Sequence, residues 1–102
     1  MRVFISVPMN GRTEEDIYQD IETVKKALGN NRISYINSML NMDPPLGTST
    51  VGAWFLGKSI ELIAQSDLVV FVKGYEKARG CRIEEMVCKE YGIPRKYMEG
   101  AD

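Results

Sequence analysis

Histidine is absent from this 102-residue chain. Within one chain that excludes Ser-His-Asp and Cys-His chemistry, and with them the usual histidine-bearing zinc sites. Any reaction has to rest on carboxylates, Lys, Arg, Tyr or Cys. Cysteine is scarce as well, with only Cys81 and Cys88. Two helical turns would hold them ~10 Å apart, beyond the ~7 Å Cα separation that a disulfide tolerates. They read as free thiols in a reducing compartment, with Cys88 in the core. No apolar run approaches the ~20 residues of a membrane span. The N-terminus is a β-like run with one Arg, not a charged segment followed by a signal-type hydrophobic region. A cytoplasmic protein without a membrane partner is the expectation. Excess charge is also lacking: 13 basic against 14 acidic residues leave a net charge of −1, which argues against a general nucleic-acid binder. The length fits a single domain over residues 1–102.

What is present is an alternation of two patterns. Arg2 to Val7 (RVFISV) is short, apolar and β-branched, a first strand expected at the centre of a sheet. Pro8 stops it, and Pro8-Met9-Asn10-Gly11-Arg12 has turn chemistry. Thr13 then begins TEED, an N-cap followed three residues later by an acid. Ile17, Ile21, Val24 and Leu28 mark a buried helical stripe, Lys25 and Lys26 suit the C-terminal end, and Gly29 suits the cap. Arg32 to Ile36 reads as a second strand. The connection from Asn37 to Val51 is long enough to suggest a lid or an oligomer contact. Helical spacing returns from about Gly52 to Gln65, and Arg95 to Met98 reads as a last, edge strand. The tail from Glu99 to Asp102 is expected to fray.

The segment Asp67 to Gly92 (DLVVFVKGYEKARGCRIEEMVCKEYG) organises the rest. Leu68 to Val72 is apolar at every position, as in a strand buried on both faces of a parallel sheet. Gly74 breaks it, and from Gly80 helical spacing places Ile83, Val87 and Tyr91 on one face. The predicted fold is α/β: a small flavodoxin- or Rossmann-like parallel sheet of about four strands with helices on both faces. The C-terminal ends of the first and third strands then lie together, where open α/β sheets bind ligands. The loop Ser6 to Arg12 and the turn Gly74 to Glu84 face one crevice.

Several residues there have two readings. Glu84, expected in the first turn of its helix, is either a catalytic carboxylate or an acid favoured by the macrodipole, and Glu85 has the same second reading. Arg12 and Arg79 either meet a phosphate or carboxylate beside the backbone donors of Asn10, Gly11 or Gly80, or are solvated loop cations. The Ser6 hydroxyl faces ligand or bonds to backbone. Asp67 begins its strand and so belongs to the opposite sheet edge. Cys81 near a helix N-terminus suggests an activated thiol, but packing is the preferred reading. Trp54 and Tyr75 stack on a base or close a core. The six methionines read as gap-fillers.

ISVPMNGR after the first strand, together with SDLVVFVKGYEKARGCRIEEMV, resembles the nucleoside 2-deoxyribosyltransferase superfamily. The match is to its small, often phage- or prophage-associated members, and the chain is also similar to deoxyribonucleoside 5'-monophosphate N-glycosidases. The resemblance spans nearly the whole chain. It implies that Glu84, four residues after Gly80, is a nucleophile toward C1' of a 2-deoxyribosyl group, forming a glycosyl ester that a second base or water resolves. In the resemblance Ser6, Asn10, Gly11 and Arg12 line the sugar or 5'-phosphate end; with Pro8, Met9, Arg79 and Gly80 they make up the expected substrate-binding set. Two family positions differ: Ala78 stands where the family has Asp or Ser, and Ser59 where it has an acid. Asp43 or a neighbouring subunit is then expected to supply the second acid. The resemblance further implies a nucleoside or nucleotide partner, a homo-oligomer, and no cofactor or metal. Two alternatives are a nucleotide-sensing module of the same fold and a prophage interaction protein.

Overall fold

A computed structural model describes residues 1–37 and 42–98. The chain folds in the order β1 (Arg2–Ser6), α1 (Glu14–Leu28), β2 (Ser34–Asn37), α2 (Val51–Ala64), β3 (Leu68–Phe71), a 3-10 turn (Tyr75–Lys77), α3 (Arg79–Tyr91) and β4 (Arg95–Tyr97). The four strands form one sheet in the order β2-β1-β3-β4, every pair parallel. The expected small α/β sheet is therefore present, with β1 and β3 central and β4 at an edge. Strand β2 starts two residues later than its sequence pattern suggests, because Arg32 adopts a left-handed φ of 61° in the preceding turn. Residues 38–41, near the start of the proposed lid, and the tail from Glu99 onward lie outside the described residues.

Alternation along the central strands divides the interior into two layers. Val3, Ile5 and Val7 of the β1 segment, with Val70 and Val72 of the β3 segment, meet Ile17, Ile21 and Val24 of α1. On the other face Phe4, Val69 and Phe71 pack with Ile63 of α2 and with Cys81 and Cys88 of α3. Full burial of each such aliphatic or aromatic side chain stabilises the fold by roughly 1.5–3 kcal/mol. Register pairs Ser6 with Phe71 across β1 and β3. Ser6 is thus aimed, like Phe4, into the layer covered by α2 and α3.

The helices have unequal ends. Thr13 caps α1, its Oγ1 accepting the backbone N–H of Asp16 at 3.1 Å, and Glu14, Glu15 and Asp16 fill the first turn. Gly29 closes it, its N–H donating to the carbonyl of Lys25. Neither α2 nor α3 has a side-chain cap or an acid in its first turn. At the far edge of the sheet Asp67 holds β1, its carboxylate accepting the N–H of Arg2 at 2.7 Å. That is the structural role its position suggests.

Helix α3 departs from expectation in two ways. It begins at Arg79, so Glu84 falls in its second turn rather than its first. Its buried stripe is Cys81, Glu84 and Cys88, whereas Ile83 and Val87 are half-buried and Tyr91 is 80% exposed. A helix face chosen by hydrophobicity missed the core face because a carboxylate occupies it. Tyr75 closes the core, in contact with the rings of Phe71 and Tyr97.

Thr13→Ala is expected to lower stability by about 1 kcal/mol in urea unfolding. Thr50→Ala, at the start of α2, where no side-chain cap bond forms, should cost less than about 0.5 kcal/mol.

Candidate active site

Glu84 is 4% exposed, and its Oε1 accepts a hydrogen bond of 2.6 Å from the hydroxyl of Ser6, itself fully buried. The hydroxyl of Ser59, also buried, hydrogen-bonds the same carboxyl group. One carboxyl is therefore held by a strand and by a second helix as well as by its own. Burial pushes its pKa up to about 7, against the opposing pull of the Ser6 and Ser59 hydroxyls, which favour the anion.

The neighbouring Glu85 has the opposite tendency. Burial raises it, but the hydroxyl of Tyr97 at 2.6 Å, the ammonium of Lys89 at 3.6 Å and the hydroxyl of Tyr75 at 3.2 Å outweigh burial, and its carboxyl lies below the ordinary value. Adjacent acids on one helix are thus driven apart. Glu85 is an ionised pin joining α3 to the edge strand and the 3-10 turn; Glu84 is poised near neutrality. That separation marks Glu84 as the residue suited to chemistry.

Glu84 lines a cavity of about 560 Å³. Pro8, Met9 and Asn10 from the loop after β1 line it too, with Arg79 and Gly80 from the start of α3. Helix α2 supplies the facing wall, including Phe55, Leu56 and Ser59. Among the described residues, Glu84 is the one carboxylate in this lining and Arg79 the one cation. Cys81 lines it as a buried thiol raised to about 11 by burial, with the Ser6 hydroxyl opposing and Glu84 adding to the rise. Such a thiol is packed rather than activated.

The structure gathers most of the sequence-derived candidates, in different roles. Ser6 lies beneath Glu84 and holds it. Arg12 is engaged by its own loop and by α1: its guanidinium donates to the carbonyls of Pro8 at 3.1 Å and Asp16 at 3.2 Å and pairs with Asp20 at 2.7 Å. Gly11 lines no cavity described; its φ of 74° makes the turn before Arg12. Asp43 is exposed and lines no cavity described either, so within one protomer it is not the second acid. Ser59 and Ala78 both border the site, as hydroxyl and methyl groups. Apart from Ser59, the α2 wall is not legible in the sequence. Its signal was a helix apolar on more than one face, which residue counting alone does not divide into core and site.

Among the described residues no three Cys, Asp or Glu side chains converge in a way that would hold a metal ion. No described helix is long and apolar enough to cross a membrane.

Fold and site together define an α/β protein with a buried glutamate, its pKa raised by burial, at the carboxyl end of a parallel sheet. The family described as "Domain of unknown function (DUF4406)" matches residues 1–97, and the chain belongs to that family. In the same comparisons no curated protein and no solved structure matches.

Because the folded-state value of Glu84, about 7, exceeds its ordinary value of 4.5, the native state binds the proton more tightly than the unfolded chain. The associated stability is fully present below about pH 4.5 and is lost as pH rises through about 7. Glu84→Gln removes that loss. Between about pH 4 and pH 9 the difference in unfolding free energy between variant and wild type should shift toward the variant by on the order of 3 kcal/mol. A difference independent of pH would contradict the assignment.

Proposed function

We propose that the protein cleaves, or transfers across, the N-glycosidic bond of a 2-deoxynucleoside or its 5'-monophosphate, with Glu84 as nucleophile. The observation that carries this reading is the buried Ser6–Glu84 hydrogen bond of 2.6 Å at the floor of an open cavity. A carboxylate nucleophile must be ionised and fixed close to an electrophilic carbon. Two hydroxyl donors favour the anion and fix its orientation, while burial keeps it basic enough to attack.

The sugar sits over Glu84, and the base lies against the apolar wall of Phe55 and Leu56. Asn10, Arg79 and the backbone at Gly80 address the 5' end. A Glu84 oxygen bonds to C1' as the bond from C1' to the base nitrogen breaks, and the base leaves with that electron pair. Water or a second base then displaces the ester and regenerates the carboxylate. The departing nitrogen needs a proton that Glu84 cannot give while it attacks. With no other carboxylate in the lining among the described residues, that proton comes from water or from an acid of a second copy of the chain.

The same lining favours a second reading, in which the pocket binds a nucleotide and does not turn it over. Ser59 and Ala78, at positions where a second polar or acidic group would assist departure of the base, supply only a hydroxyl and a methyl.

Incubation with the four deoxynucleosides and their 5'-monophosphates, with free base followed by chromatography, separates the readings. Catalysis predicts base release that rises with pH to a plateau above about 7 and falls at least about 10³-fold in Glu84→Gln and Glu84→Ala. Tight binding without release, retained in Glu84→Gln, establishes the binding module instead.

A further inference from the structure

A second cavity, of about 630 Å³, adjoins the first and shares Pro8, Asn10, Ala78 and Arg79 with it. Its lining is strongly basic. Arg12, Lys73, Lys77, Arg79 and Arg82 surround it, and Asp20 is its one carboxylate among the described residues. Asp20 is already paired with Arg12 at 2.7 Å. Among the described residues the other four cations form no ion pair, and the Arg82 guanidinium meets only the backbone carbonyl of Glu76, at 3.1 Å. In a chain with a net charge of −1, four unneutralised cations on one cleft are a marked segregation of charge.

Their placement adds a second argument. Arg79 and Arg82 lie in the opening turn of α3, which has no acid there and no side-chain cap. The positive end of a helix disfavours cations and leaves backbone N–H groups unpaired. At α1 the chain answers this with Thr13 and three acids; at α3 it adds positive charge. That arrangement is unfavourable in the empty protein and becomes favourable when a polyanion fills the cleft. The volume is within the range of a site for a whole small ligand, more than one phosphoryl group requires.

We propose that this cleft binds a chain of two or more phosphates extending from the 5' end of a nucleoside whose sugar lies at Glu84. The preferred ligand class is then a nucleoside 5'-di- or triphosphate. Arg79, common to both cavities, meets the first phosphate, and Lys73, Lys77 and Arg82 meet those beyond it. The inference rests on the reading of the Glu84 cavity as a nucleoside pocket.

Binding is measured by calorimetry at fixed ionic strength, so the result stands whether or not base is released. The probes are orthophosphate, tripolyphosphate, the four 2'-deoxynucleoside 5'-mono- and triphosphates, and a 5'-phosphorylated single-stranded oligonucleotide. Tripolyphosphate should bind at least about tenfold more tightly than orthophosphate, and the best nucleoside triphosphate about tenfold more tightly than either its monophosphate or free tripolyphosphate. Lys77→Ala/Arg82→Ala should erase the preference for triphosphate over monophosphate, and Lys73→Ala should reduce it. All three residues are exposed, and circular dichroism checks that the variants fold. Equal affinity for mono- and triphosphate overturns the proposal, as does a triphosphate no better than free tripolyphosphate. Tighter binding of the oligonucleotide than of any triphosphate, or an unchanged preference in the double variant, overturns it as well. If the glycosidic reading fails, no base is released from any substrate; if this one fails, the phosphate preference is absent.

Discussion

A glutamate placed almost out of reach of water constrains everything around it. Burying an ionisable carboxyl without partners would cost several kcal/mol, a large share of the roughly 5–15 kcal/mol by which a domain is stable. The hydroxyls of Ser6 and Ser59 make the position tenable, one from a central strand and one from α2. Three elements distant in sequence therefore converge on a single functional group. The sheet order that places β1 beside β3 and the left-handed turn at Gly74 that leads the chain from β3 toward α3 both serve that convergence.

Much of this architecture is readable in the residues. Continuous apolar runs announced the buried parallel strands, and Thr13 and Gly29 marked both ends of α1 through known cap chemistry. The order of elements indicated which strand ends would meet, so the loop after β1 and the start of α3 were rightly expected at one crevice. Glu84 stands out in the sequence as the candidate carboxylate of the crevice, and by resemblance as the nucleophile, but its burial against Ser6 does not. Local spacing has no means of saying that Glu84 turns inward while Glu85 reaches Tyr97 and Tyr75. That distinction depends on tertiary contacts with residues up to 78 positions away.

The same limit explains what was assigned too simply. Arg12 reads in its loop either as a phosphate ligand or as a solvated cation, and its guanidinium is instead engaged by Pro8, Asp16 and Asp20. It shapes the loop that frames the crevice. Ser59 and Ala78 read as places where an expected group was missing, and the structure gives each a location at the rim or floor of the cavity. The basic cleft is not legible as a unit, because the turn that gathers the cations of residues 73–82 beside Arg12 is a product of the fold, and their charge cancels against acids elsewhere in the overall total.

Strand alternation at Ser6 has a further bearing, on how faithfully the molecule assembles. Were β1 to slip by one residue against its neighbours, Ile5 or Val7 would arrive where the serine hydroxyl belongs, and the acid would be stranded against hydrocarbon. Parallel strands rich in valine and isoleucine offer little else to tell one alignment from the next. The group suited to chemistry thus also acts as a proofreader of folding, penalising a misthreaded chain before any ligand arrives.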